Sequence, residues 1–520
     1  MRRRDLIAGA ALLAAGRPAS AQTATAPAEP WNAGGVLHIL PTVSHDRALL
    51  KVSLRDPLHQ PPVLHLDGIR VPGERQDLVG TCWTFDAEGL QPAWDYRLTL
   101  VDAGDKPLCD PWSLSTFPAP GDRPYRLRVL FYTCAGGNDL LGRQLPMAIR
   151  TRLLDRALSF QPDVLVANGD HVYWDLRSRA KGAYGEHPRA IAEVGQFARE
   201  GAVLDGGHNE AVLKRAVAPQ IVPLYGTRCR SIPTFFLQDD HDYFDNDEAD
   251  DTLITFPPDP FMRAASRATQ RLYYPEFLPD AARPLGLGGT RVDGVSQNFG
   301  TLRYGRLLEV LLYDCRRWMA LHGPTGAFVP QTTEDWLLRR MAEGETAHLI
   351  NAPSTPPGWS AGKWAEWYAD IESGGRLSAA KPKPYWQPGW RAQHDRLLAA
   401  ASARRDRIPL FVSGDLHASG ETRIARTGAH DLSANPVVSV LSGTLGTAGA
   451  GWASAFRGMA PRTPGGLVVD ETFAATEENG FTLVDVTPED MTLRYFTWRH
   501  AAPEAIDTLE PARTTRLARA

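Results

Sequence analysis

Four short stretches of the chain carry side chains able to hold cations close together. They are Cys134, Gly169-Asp170-His171-Val172-Tyr173, Asp239-Asp240-His241-Asp242 and Gly414-Asp415-Leu416-His417. Carboxylates gathered in one place repel one another unless cations sit between them. Aspartate oxygens suit hard ions such as Ca²⁺, Mg²⁺, Mn²⁺ or iron. Histidine and cysteine draw a site toward a transition metal, and a tyrosine phenolate suits ferric iron. The mixture implies a dinuclear site with one softer and one harder position. Two cations about 3.5–4 Å apart can clamp a phosphoryl group and activate water for in-line attack. Taken singly, each stretch also fits a plainer part: a Gly-Asp turn, a buried thiol, a solvated acidic loop. What the plainer parts do not require is their common position, because each stretch follows a short apolar run.

Those runs, at 127–132, 163–167, 234–237 and 410–413, are continuous rather than alternating, as expected of strands buried on both faces. Further strands are predicted at 307–313 and 437–441, and helical spacing at 147–158, 335–341 and 390–401. Strands interleaved with helices predict an α/β domain, a layered αββα arrangement over 124–502, with its site at the carboxyl ends of the strands. Residues 503–520 read as a C-terminal tail. The stretches 178–230 and 343–388, rich in Gly, Trp and Pro, read as insertions covering a site rather than as core. Ahead of this domain, residues 35–120 show short runs such as 49–54, 63–66 and 96–101 separated by turn residues, which predicts a small all-β sandwich. Cys82 and Cys109 both fall inside it and could pair in an oxidising compartment.

The net charge of -4, from 56 Lys+Arg against 60 Asp+Glu, leaves no basic field to hold a nucleic-acid backbone. Specific nucleic-acid binding is therefore not expected. Five cysteines without a Cys-x-x-Cys pair exclude a disulfide scaffold and speak against structural zinc. The N-terminus reads as an address. Arg2, Arg3 and Arg4 precede a short, mildly apolar core, and Ala19-Ser20-Ala21 offers a cleavage site, so residues 1–21 are expected to be a signal peptide and 22–34 a linker. The pair Arg3-Arg4 and the Arg17 behind the apolar core fit the twin-arginine route, whose machinery would be a partner in transit and whose cargo crosses folded. The expected location is periplasmic or secreted.

With these residues in view, the chain resembles the PhoD-like alkaline phosphatases of the metallophosphoesterase superfamily over about residues 125–500. The resemblance rests on Cys134, Gly169-Asp170-x-x-Tyr173, Asp239-Asp240-His241-Asp242 and Gly414-Asp415-x-His417. Leu312-Tyr313-Asp314-Cys315-Arg316 and Gln331 followed by Trp336-Leu337 add to it. The segment from Gly169 to Tyr173 also looks like purple acid phosphatases, and Gly89-Leu90-Gln91-Pro92 followed by Tyr96 resembles the corner of fibronectin type III-like modules. The resemblance implies that Asp170 bridges two metals and that Cys134, Tyr173 and His417 complete an Fe³⁺ position. Asp415 with the Asp239/Asp240 pair would hold the second metal, Ca²⁺ in the family, with Mn²⁺, Mg²⁺ or Zn²⁺ as alternatives. It further implies that His241 contacts phosphoryl oxygens or protonates the leaving group, and that Asn246 and Arg316 bind phosphate. Arg316 has a plainer alternative as the partner of Asp314. The sequence departs from the family at Asp242, where glutamate is usual, and around Asn246, which stands beside Asp245 and Asp247 where a second asparagine is usual.

The leading expectation is thus an exported phosphoesterase acting on small phosphate esters. Its alternatives are a phosphodiesterase with little monoesterase activity and a catalytically silent surface-binding protein. The sequence leaves the oligomeric state open.

Overall fold

The computed structural model describes residues 30–137, 142–174, 188–244, 257–278, 291–292, 295–296, 299–319, 326–361, 370–371, 377–378, 388–456, 458–499 and 502–519. The signal segment and Asn246 lie outside them.

Two four-stranded antiparallel sheets form the sandwich. One runs Val36–Val43, Arg47–Leu54, Cys82–Glu88, Glu74–Arg75, and the other Ile69–Pro72, Val63–Leu66, Asp95–Val101, Trp112–Ser115. The Tyr96 hydroxyl accepts the Gln91 N–H at 2.7 Å, which closes the corner that the Gly-Leu-x-Pro segment suggested. Strand Asp95–Val101 alternates exposed and buried positions as a half-solvated strand should, whereas Arg47–Leu54 is buried almost throughout. The reason is that Pro260–Tyr273 packs on Arg47–Leu54, and His208–Tyr225 on the neighbouring Val36–Val43, covering this sheet's outer face. Cys82 and Cys109 are separate buried thiols, each pushed up to about 12 by burial, so the pairing considered for them is not made.

The second region is built on two facing sheets. The first has six strands in the order Thr234–Leu237, Val164–Asn168, Leu127–Tyr132, Asn479–Val486, Asp490–Trp498, Arg513–Ala518. The first three of these are parallel. The second sheet has eight strands, with Phe299–Tyr304, Leu308–Tyr313, His348–Pro353, Leu410–Ser413, Val437–Ser442 and Ser419–Thr427 along its path. Helices Met147–Ser159 and His208–Tyr225 share a core with the first sheet, and Gln331–Glu343 and Pro388–Ala403 share one with the second. The layers therefore run helix, sheet, sheet, helix. Asn168 bolts the two sheets together: its Nδ2 donates to the Pro353 and Val412 carbonyls, both at 3.1 Å.

Three expectations need correcting. Residues 503–520 are not a tail, because Arg513–Ala518 pairs with Asp490–Trp498 and finishes the first sheet. Within 178–230, helix His208–Tyr225 is core, burying Val212, Leu213, Val217, Ile221 and Leu224. Within 343–388, His348–Pro353 is a fully buried central strand.

Sandwich and layered domain are joined by a buried ion pair. Lys51, 1% exposed, places Nζ 2.9 Å from Glu276 Oε2 and also donates to the Thr84 hydroxyl and the Arg271 carbonyl, both at 3.0 Å. Breaking one side of such a pair leaves the other charge buried alone, at about 3–5 kcal/mol. Lys51→Met should therefore lower the thermal midpoint markedly, and the double variant Lys51→Met/Glu276→Leu should recover most of the loss. Calorimetry checks this, and a single variant as stable as the parent would show that the pair does not join the two regions.

Candidate metal centre

Parallel pairing aligns three strand ends of the first sheet, and a fourth comes from the facing sheet. The last paired residues are Tyr132, Asn168, Leu237 and Ser413. Two positions beyond them stand Cys134, Asp170, Asp239 and Asp415. The chain must turn sharply there, and it does so in conformations that non-glycine residues avoid. Among the described residues nine non-glycines have positive φ, and five belong here: Cys134, Asp170, Phe244, Asp415 and His417, with φ between 50° and 71°. Backbone of this kind costs about 1–3 kcal/mol per residue and collects at functional sites. Gly169 and Gly414 make the turns feasible. A Cβ on Gly169 would lie 2.5 Å from the Asp239 Cβ, and one on Gly414 2.2 Å from the Thr133 hydroxyl.

One carboxylate oxygen of Asp170 gathers three other expected ligands. Asp170 Oδ2 lies 3.1 Å from Cys134 Sγ, 3.1 Å from the Tyr173 hydroxyl and 4.0 Å from His417 Nε2. Tyr173 and His417 are themselves 3.2 Å apart. His417 Nδ1 is 2.6 Å from the Gly451 carbonyl, so Nδ1 carries the proton and the lone pair of Nε2 faces the cluster. A second group, Asp239, Asp240 and Asp415, brings three carboxylates within 4.8 Å of one another, and Asp170, Asp240 and His241 make a third at the same limit. Asp170 and Asp240 thus each belong to two of the three groups. The His241 ring packs on Tyr173 with centroids 4.2 Å apart.

Burial has an electrostatic price at these groups. Together with the neighbouring Asp240 it pushes the Asp170 carboxyl up to about 7, and it drives the Cys134 thiol and the Asp239 carboxyl well above their usual ranges, Asp239 in spite of Arg316. Asp170 Oδ1 and Asp239 Oδ2 are buried and receive no hydrogen bond among the described residues. Bare oxygens beside sulfur, phenol and imidazole suit an iron-like ion at the first group, and three carboxylates suit a hard divalent ion at the second. The donor sets fit the implied metals, whose binding would expel protons from these ligands.

Arg316 enters the acidic group. Its Nε is 2.6 Å from Asp239 Oδ1, and one terminal nitrogen is 2.9 Å from Asp415 Oδ1 and 3.9 Å from Asp240 Oδ1. Asp314, the alternative partner, meets Arg316 through the backbone: it accepts the N–H of Arg316 at 2.7 Å and that of Arg317 at 3.1 Å, and the Tyr243 hydroxyl at 2.5 Å.

Sequence reasoning gave no role to three residues that hold this geometry. Asp242 accepts the N–H groups of Asp170, His171, Val172 and Asp239 at 2.9–3.0 Å, clamping two ligand loops onto one carboxylate. Burial pushes its carboxyl up against those four donors, which favour the anion. Gln220, on helix His208–Tyr225, accepts from Gly137 N at 2.6 Å and Tyr173 N at 2.9 Å, fixing the tyrosine's backbone. His171 faces away from the ligands: its Nε2 lies 2.8 Å from the Leu237 carbonyl, and burial lowers its pKa to about 4, so it stays neutral. The departure at 242 was a visible signal for the first. Gln220 had none, because its helix reads as an irregular insertion.

No protein-family model matches the sequence, and no curated protein sequence matches it. Solved structures do. A structure of PhoD is similar at a TM-score of 0.59 and 14% identity, covering 93% of this chain and 90% of that one. The purple acid phosphatase PPD1 from yellow lupin (Lupinus luteus) seeds is similar at a TM-score of 0.54 and 12% identity, covering 93% of this chain and 74% of that one. The chain has the PhoD-like metallophosphoesterase fold.

Proposed function

We propose that the chain is an exported, metal-dependent phosphoesterase of the alkaline phosphatase type, hydrolysing phosphomonoesters, phosphodiesters or both. The observation that carries this reading is the convergence of Cys134, Tyr173 and His417 on one oxygen of Asp170, beside the acidic group of Asp239, Asp240 and Asp415. The likeness of fold to PhoD and to a purple acid phosphatase supports it. Fe³⁺ would be held by Cys134, Asp170, Tyr173 and His417, and a hard divalent ion, Ca²⁺ first among Mn²⁺, Mg²⁺ and Zn²⁺, by Asp170, Asp239, Asp240 and Asp415. Cations bound there supply Lewis acidity toward water and toward phosphoryl oxygens.

The chain's own groups do the rest. His241, beside Asp170 and Asp240, is placed to contact a phosphoryl oxygen or to give a proton to the leaving oxygen. Asn246 is the group assigned to bind the phosphate, an amide suiting its negative charge, whereas Arg316, expected beside it, is buried with its guanidinium turned to Asp239 and Asp415. Asp242 and Gln220 keep the ligand loops from relaxing. A silent surface-binding protein would have no use for strained turns at four ligands, which argues against that alternative. Paired arginines at 3 and 4 support export by the twin-arginine route.

The purified mature chain should contain stoichiometric iron, show a visible charge-transfer band, and turn over p-nitrophenyl phosphate or bis(p-nitrophenyl) phosphate. Tyr173→Phe should bleach or shift that band and weaken iron binding while the fold stays intact. A colourless, iron-free parent would overturn the iron assignment, and an unchanged spectrum in Tyr173→Phe would remove the phenolate from it. Asp170→Asn should lose both metals and several orders of magnitude of turnover. Elemental analysis with kinetics checks this, and near-normal turnover with both metals retained would sink the bridging role. Replacing Arg3 and Arg4 with lysine should leave the protein in the cytoplasm on cell fractionation, and normal export would exclude the twin-arginine route.

A further inference from the structure

The three carboxylates of the second group already have a cation. Arg316 is fully buried, and its guanidinium reaches Asp239 Oδ1 at 2.6 Å and Asp415 Oδ1 at 2.9 Å, with Asp240 Oδ1 at 3.9 Å. Its backbone is fixed independently, since Asp314 accepts the N–H groups of both Arg316 and Arg317 and is held in turn by Tyr243. The side chain therefore leaves an anchored turn and reaches into the acidic group by design of the fold. Asp239 Oδ2, on the same carboxylate, is buried without a hydrogen-bond partner among the described residues and remains open to a further cation.

We propose that Arg316 is an internal competitor for the second divalent ion, so that this position binds its metal weakly and exchangeably while the position at Cys134, Tyr173 and His417 does not face that competition. The inference rests on the two-metal reading above. Its physics is simple. A guanidinium within hydrogen-bonding distance of two of three ligands must either be displaced by an incoming cation or stay and repel it. In low-dielectric surroundings both routes lower affinity. The gain for the protein is a folded metal-free state, because the guanidinium relieves repulsion among carboxylates that would otherwise be buried close together. A second consequence is that turnover should follow the free divalent concentration over a range in which iron stays bound.

The test uses the full mature chain, loaded with iron and treated with a calcium chelator, titrated with Ca²⁺ alone and separately with Mn²⁺ alone by calorimetry. Arg316→Gln should bind either ion about tenfold more tightly or better. Arg316→Lys keeps the charge but loses the two-pronged reach, so its affinity should fall between those of the parent and the glutamine variant. Unchanged or weaker binding in Arg316→Gln would overturn the proposal and make Arg316 an outer support that organises the ligands. Should Arg316→Gln fold poorly without metal, the rate at which a chelator strips Ca²⁺ from the loaded protein serves instead: slower release than from the parent is expected, and equal or faster release overturns the proposal. Iron content separates the two levels of inference. A parent that binds neither iron nor a divalent ion defeats the two-metal reading itself, whereas a parent that binds both, with no change on replacing Arg316, defeats the competitor alone.

Discussion

Negative charge held out of water is the constraint on which this structure turns. Asp170, Asp239, Asp240, Asp242 and Asp415 are each at most 5% exposed and crowd the same strand ends. A buried carboxylate without compensation costs several kcal/mol even after relaxation. The chain answers part of that charge itself: Asp242 with four backbone N–H groups, Asp239 and Asp415 with Arg316. Asp170 is answered least. It receives a thiol and a phenol on one oxygen and nothing among the described residues on the other. A thiol is a weak donor to an anion, and thiol and phenol are both strong ligands once deprotonated, so the contacts around Asp170 are ones a cation would complete.

The two sheets exist, in this sense, to bring the ligands together. Cys134, Asp170 and Asp239 come from the first sheet and Asp415, His417 and Arg316 from the second, so the group at Cys134 and the acidic group both need the sheets to meet at a fixed offset. Asn168 supplies that offset from the residue just before Gly169-Asp170, bonding to two strands of the opposite sheet. Its place is significant. The bolt between the sheets and the turn that carries the shared ligand are two residues apart, so a shift between the sheets is transmitted directly to Asp170.

What could be read in the sequence was what short-range patterns encode. Continuous apolar runs gave the strands, and the residues two places beyond them gave the candidate ligands, because parallel pairing aligns the ends of Leu127–Tyr132, Val164–Asn168 and Thr234–Leu237 whatever lies between. Helix His208–Tyr225 escaped for an equally physical reason. It contains Pro219 and Pro223 and buries both apolar and polar positions, Asn209, Glu210 and Gln220 among them, so it has no clean apolar stripe. Arg513–Ala518 escaped because an edge strand needs only one buried face; with Thr515 and Leu517 inward and arginines outward, it reads as polar chain. The buried side of Arg47–Leu54 was similarly hidden, since Lys51 looks like a solvent residue until Glu276, far along the chain, is brought beside it.

The aspartate at 242 shows how a departure from a family pattern can be relocated by geometry. Read as sequence, an acid one carbon shorter than usual bears on the metal position next to it. In the structure its two oxygens face Asp170, His171, Val172 and Asp239 through backbone N–H groups at 2.9–3.0 Å. A longer side chain on this backbone would have to retreat to make the same bonds. The exchange is therefore a property of how tightly the two ligand loops are drawn together, not of what they bind. Since the loops it joins carry Asp170 and Asp239, the length of this side chain sets how far apart those two carboxylates stand.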